Sequence, residues 1–232
     1  MSPHPFLTAR WRHLVLLTFE APEQGLVPLV PPGCEQDRWR DRCHVSLVAL
    51  RMERVRVRGL AVPGLTAFAQ VNLRLYVRHV GRPAVRFVQE LVPSRLLAAV
   101  ARWRYGEPFA AGRVEATLSE DSGGAAAEYG FGLDRPRWLV RVQGSAEATV
   151  PDRGTFEHWV KERVRGCGVG RNGRLHTFDV THPPWAVRHV KTVEHDVDFA
   201  ALYGPAWSFL NAARPVSVLY AVGSVVTVSV PS

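Results

Sequence analysis

The sequence predicts a mainly β protein of the α+β class, built on a largely antiparallel sheet. Three observations carry this reading. Apolar residues recur mostly with a period of two. Extended segments joined by short turn signals outnumber helical ones. The 232 residues are 47% apolar and 22% charged, enough apolar material for a core and too much for disorder. A chain of this length buries roughly 70% of its unfolded surface and needs no covalent staple. With no repeat and no low-complexity linker, one domain over residues 1–232 is expected.

Periodicity assigns the elements in order. Residues 44–57 (HVSLVALRMERVRV) start apolar on both faces and end with Arg54, Arg56 and Arg58 opposite Val55 and Val57. Gly59 and Pro63-Gly64 mark a turn. Residues 67–79 (AFAQVNLRLYVRH) alternate most regularly: Val71, Leu73, Leu75 and Val77 on one face, Gln70, Asn72, Arg74, Tyr76 and Arg78 on the other. Gly81-Arg82-Pro83 turns the chain into a returning strand over 85–91. Ser94 caps a predicted helix to Arg104, with Leu96, Leu97, Val100 and Ala101 inward. Strands follow at 114–118, 126–133 and 138–150. Asp152 caps a second helix to Val164, carrying Phe156, Trp159, Val160 and Val164 on one face. Residues 166–169 and 175–180 read as a hairpin across Asn172-Gly173. Strands at 186–197, 216–220 and 225–230 complete the chain, with a short helix after Asp198.

Composition excludes several function classes. Cys34, Cys43 and Cys167 are odd in number and scattered, so neither a disulfide framework nor a paired-cysteine metal site is expected. Residues 216–230 form the longest apolar candidate and are too short and interrupted to span a bilayer. The first residues carry no apolar signal core, so a cytoplasmic protein with no membrane partner is expected. The net charge of +8 comes from 29 Lys+Arg against 21 Asp+Glu, and only Lys161 and Lys191 are lysines. The arginines are dispersed and no nucleic-acid-binding motif appears, so no nucleic-acid partner is expected. A homo-oligomer is compatible with the sequence.

Two constellations could carry chemistry. In the row Gln70, Asn72, Arg74, Tyr76 and Arg78, arginine and tyrosine offer directional donors to a small anion or carbonyl. Spacing alone favours a solvent-facing row; a cavity lumen is the alternative. In His182-Pro183-Pro184-Trp185, the histidine could be a proton carrier. The blander reading has Trp185 plugging the core and His182 capping a carbonyl. Cys43 and His44 point to opposite strand faces and cannot share a metal. The stretch Gly166 to Gly173 lacks the context of a phosphate loop. No metal or cofactor is expected.

Six segments, in this order along the chain, resemble the DUF2071 (YqjF-like) family. They are Trp11-Arg12; Leu29-Val30-Pro31-Pro32-Gly33 with Asp37; Arg58-Gly59-Leu60 with Pro63; Asn72-x-Arg74-x-Tyr76-Val77; Glu157-His158-Trp159 with Glu162-Arg163; and His182-Pro183-Pro184-Trp185. That family is grouped with the acetoacetate decarboxylase-like proteins. The resemblance implies a curved antiparallel sheet closing as a cone or barrel around a cavity, with two or three helices outside. It also turns the polar row from solvent toward the cavity. Acetoacetate decarboxylases use a Schiff-base lysine after a Gly-x-Pro element. The similar stretch here, Gly106-Glu107-Pro108-Phe109-Ala110, places Phe109 at the nucleophile and Ala110 beside it. A superfamily carboxylate is replaced by Gln70. Schiff-base decarboxylation is therefore not expected.

What the resemblance implies is a small organic acid or carbonyl ligand held by Asn72, Arg74 and Tyr76, with Gln70, Phe109 and Trp185 alongside. Glu90, Glu107 and Glu115 are candidate partners for Arg74 if the row is structural. Two alternatives stay open: an acid–base enzyme on the same scaffold with Tyr76 or His182 as proton carrier, and a structural or interaction protein with a buried polar network.

Overall fold

The computed structural model describes residues 5–61, 64–105, 108–170 and 173–232. Pro63, Gly106, Glu107 and Asn172, named above, lie outside the described residues, as do the side chains of Val100 and Ala101. The described chain is mainly β. Its strands are β1 (Leu7–Glu20), β2 (Cys34–Gln36), β3 (His44–Val57), β4 (Leu60–Ala61), β5 (Phe68–His79), β6 (Arg82–Val92) and β7 (Phe109–Ala111). They continue as β8 (Arg113–Asp121), β9 (Gly124–Gly132), β10 (Trp138–Thr149), β11 (Arg165–Val169), β12 (Leu175–Thr181), β13 (Val187–Asp196) and β14 (Ser217–Val228). The helices are α1 (Glu23–Leu26), α2 (Arg95–Tyr105), α3 (Phe156–Lys161) and α4 (Phe199–Tyr203). Among the described residues no helix is long and apolar enough to cross a membrane.

All strands join one sheet, and seven of them close on themselves. The order β1-β3-β5-β6-β11-β12-β14 returns to its start because β1 also pairs β14, from Leu7↔Val228 to Thr18↔Ser217. The pairings are antiparallel except β6–β11 and β6–β7, which makes the sheet mixed. From β14 the path continues through β13, β10, β9 and β8.

Two apolar clusters lie on opposite faces of the long strands. One face of β1, β3 and β5 (Val15, Leu17, Val45, Leu47, Val71, Leu73) packs with Tyr129, Phe131 and Val140 of β9 and β10 and with Phe199 of α4. The opposite face (Leu14, Leu16, Val48, Leu50, Met52, Phe68) packs with Phe178, Val180 and Trp185. A continuous apolar stretch such as residues 45–50 is what a strand covered on both sides requires.

Four expectations change. Residues 7–20, given no element by periodicity, form the first long strand. His13 there adopts φ 50°, and the register with β3 shifts between Arg12 and Val15, so the alternation is broken in the middle. In α2, capped by Ser94 Oγ accepting from Leu97 N–H (3.2 Å), Leu97 and Ala98 face inward while Leu96 is exposed. The cap of α3 is Thr155, not Asp152: its Oγ1 accepts from His158 N–H at 3.3 Å. That helix ends at Lys161 rather than Val164, where Arg163 turns inward to a buried carboxylate. The two expected C-terminal strands are one, β14, with Gly223 at φ 85° inside it. A Cβ there would lie 2.0 Å from the Trp11 carbonyl, so glycine lets β1 and β14 meet closely.

Candidate functional site

The face of β5 opposite its core residues forms the floor of a cavity of about 140 Å³. Cross-strand register builds this floor in rows: Leu16–Val48–Asn72–Glu90 across β1, β3, β5 and β6, with Leu50–Gln70 and Met52–Phe68 beside it. Phe87 stands opposite Arg74. Leu97 of α2, Phe109 of β7, Phe178 and Val180 of β12, Val228 of β14 and Trp185 complete the wall. Six of the seven ring strands therefore contribute to it.

Two bulges decide which residues arrive. Between Leu73 and Arg74 the β5–β6 register shifts by one, so Phe87 and Glu90, three residues apart, stand opposite Arg74 and Asn72 and line the same cavity. On β1 the irregularity at His13 does the same for Trp11 and Leu14. Gly166 has a related role: a Cβ there would lie 2.2 Å from the Phe178 ring, so its absence seats that ring against β11.

The polar groups are few and unevenly satisfied. Gln70 Nε2 donates to the Glu90 carboxylate. Arg74 Nη2 donates to the Val160 carbonyl at the end of α3 (3.1 Å). Among the described residues neither Glu90 nor Glu115 forms an ion pair with Arg74. Among the described residues, three buried polar atoms on lining side chains have no protein hydrogen-bond partner: Arg74 Nε, Asn72 Oδ1 and Trp11 Nε1. In a largely apolar cavity each such atom costs about 1–3 kcal/mol until something pairs it.

Next to the cavity lies a denser cluster. Tyr76 continues the row but is not in the cavity wall; its hydroxyl bonds Ser46 Oγ, which bonds Thr18 Oγ1 at 2.8 Å. Its ring packs on Trp159 (4.6 Å). Arg163 lies over both rings, 4.2 Å from Trp159 and 4.9 Å from Tyr76. It donates to the Trp159 carbonyl (2.7 Å) and to the buried Asp37 carboxylate. Burial holds the Arg163 guanidinium below its usual range, and Asp37 pulls it back up. Trp39, His44 and Phe156 surround these rings.

The structure thus brings Gln70, Asn72, Arg74, Phe109 and Trp185 to one cavity and leaves Tyr76 and His182 outside it. His182 stacks flat on Trp185 (3.9 Å, 13°) with Nδ1 2.9 Å from the Pro183 carbonyl. Trp185 is buried, bonds Ser224 Oγ through Nε1 (2.8 Å) and packs on Trp11. Its backbone N–H reaches Glu162, which also pairs the buried Lys161. Neither lysine lines the cavity.

Sequence reasoning gave no role at the site to Trp11, Phe87 or Phe178, and named Glu90 only as a partner for Arg74. The bulges hide Trp11, Phe87 and Glu90 from a period-two reading. Trp11, Asp37, Trp159 and Arg163 were nonetheless among the residues that carried the family resemblance.

Comparison with known proteins agrees with this architecture. The chain resembles MppR, an enduracididine biosynthesis enzyme, in its complex with pyruvate: TM-score 0.67 at 15% identity, over 100% of this chain and 91% of that one. It also resembles acetoacetate decarboxylase from Legionella pneumophila: TM-score 0.65 at 13% identity, over 99% and 87% of the two chains. At such identities the likeness shows an acetoacetate decarboxylase-like fold. The uncharacterized protein YqjF of Bacillus subtilis is 24% identical over 185 residues, 78% of this chain and 74% of its own length. The model of DUF2071, described as an uncharacterized conserved protein, matches residues 8–225, so the chain belongs to the DUF2071 family.

Proposed function

We propose that the chain binds a small organic acid or carbonyl compound in the cavity over β5, with Arg74 and Asn72 as its polar contacts. The observation that carries this is the pairing deficit: among the described residues Arg74 Nε and Asn72 Oδ1 are buried without a protein partner, and Arg74 forms no ion pair. A half-buried guanidinium without a counter-charge carries a desolvation cost, and an incoming anion relieves that cost. Two structurally similar proteins, one bound to pyruvate and one named for acetoacetate, support a small acid or carbonyl as the class.

An acid–base enzyme on the same scaffold is the second reading, and Glu90 favours it. This buried carboxylate lines the cavity, whereas Tyr76 and His182 do not. A lysine Schiff base has no support, since Phe109 stands in the wall and Lys161 is engaged by Glu162.

The test is a thermal-shift screen of wild type and Arg74→Ala against small carboxylates, β-keto acids and carbonyl compounds. A compound at 100 times its Kd stabilises the wild type by about 2.7 kcal/mol, and the shift vanishes in the variant. No stabilising compound, together with a destabilised Arg74→Ala, overturns the reading in favour of a structural network. Turnover lost on Glu90→Gln selects the enzyme.

A further inference from the structure

The wall of the cavity selects the body of the ligand as the floor selects its head; this step rests on the ligand-binding reading above. Among the described lining residues the polar groups are Gln70, Asn72, Arg74, Glu90 and the indole nitrogens of Trp11 and Trp185, the last engaged by Ser224, and the other side chains are apolar. Six are aromatic: Trp11, Phe68, Phe87, Phe109, Phe178 and Trp185. The volume is about 140 Å³, and an apolar protein cavity of roughly 150 Å³ holds one benzene molecule.

A keto acid of three or four carbons would satisfy Arg74 and leave most of this wall facing a void. Filling it takes a six-membered ring, and aromatic walls add ring–ring contacts to the area buried. We propose that the occupant is an aryl monocarboxylic acid with a single benzene-sized ring, its carboxylate at Arg74 and its ring among Phe68, Phe87 and Phe178. Among the described lining residues Arg74 is the one cation and forms no ion pair, so a ligand with one carboxylate matches it.

Calorimetric titration of the wild type with acetate, pyruvate, acetoacetate, hexanoate, phenylacetate and 1-naphthylacetate tests this. Phenylacetate is expected to bind about ten- to a hundredfold tighter than acetate or pyruvate, from the burial of one ring. Hexanoate falls between them, and 1-naphthylacetate, a ring too large, binds weaker than phenylacetate. Arg74→Met, which keeps an unbranched apolar stem and removes the guanidinium, abolishes phenylacetate binding. Pyruvate or acetoacetate matching phenylacetate would overturn the size class while leaving the ligand-binding reading standing. Hexanoate matching phenylacetate overturns the aryl preference. Phenylacetate binding unchanged in Arg74→Met overturns the placement of the head. If none of the acids binds, the ligand-binding reading falls and takes this inference with it.

Discussion

Two arginines flank the ring of Tyr76, Arg163 at 4.9 Å and Arg74 at 5.7 Å, and the protein treats them differently. Arg163 is buried, lies on two aromatic faces, and is paired with Asp37 through an ion pair joining distant parts of the chain. Arg74 is only half-buried, and among the described residues it donates to one backbone carbonyl and keeps Nε without a protein partner beside the cavity. The first arrangement fixes α3 and the Asp37 segment against β5. The second ties β5 to the end of α3 through one carbonyl, with no ion pair to Arg74 among the described residues. In the function proposed above, the side chain held without its counter-charge next to the cavity meets the ligand, and its neighbour Arg163 shows what structural pairing looks like in the same protein.

The contrast breaks most easily at Asp37. Asp37→Ala leaves Arg163 charged and buried, and chemical denaturation should show a loss of about 3–5 kcal/mol. A loss near zero would mean that the two arginines are equivalent. Gly166→Ala acts on the cavity side: its methyl meets the Phe178 ring at 2.2 Å, so the ring must move. Overpacking of this kind costs about 1–3 kcal/mol, and thermal-shift responses to any cavity ligand should disappear with it. Retained ligand stabilisation would place the ligand elsewhere.

A smaller effect sharpens the comparison by pH. His44 packs on Phe156 and Trp159 at the Arg163 end, and burial holds its imidazole below the ordinary histidine range. The folded pKa lies below the unfolded one, so the unfolded chain takes up the proton first. Stability is complete above about pH 6.5 and declines as pH falls below it. His44→Phe should flatten that acid slope in urea titrations at pH 5 and 7, whereas an Arg74 variant should keep it.

The regular part of this protein was legible in its sequence and the irregular part was not. Alternation over 67–79 placed Val71, Leu73, Leu75 and Val77 on one face, now in the core, and Gln70, Asn72 and Arg74 on the opposite one. Spacing could not tell a cavity from solvent, because a polar row reads the same in both; the family resemblance turned it inward. Period-two reasoning failed at the bulges. It missed the whole of β1, where His13 breaks the alternation, and could not bring Phe87, Glu90 and Trp11 to the site. Tyr76 shares the row, yet Ser46 and Trp159 claim it, contacts that depend on which strands and helices become neighbours. His182 was attractive beside Trp185, but only the buried indole reaches the cavity.

The most direct test of the central claim is the ligand-free stability of Arg74→Met, measured by urea denaturation against wild type. If Arg74 serves a ligand and not the fold, removing its unpaired charge leaves stability within about 1 kcal/mol of wild type or raises it. A loss of about 3 kcal/mol or more, the size expected when a paired buried charge is broken, would contradict the account and make Arg74 a structural residue like Arg163.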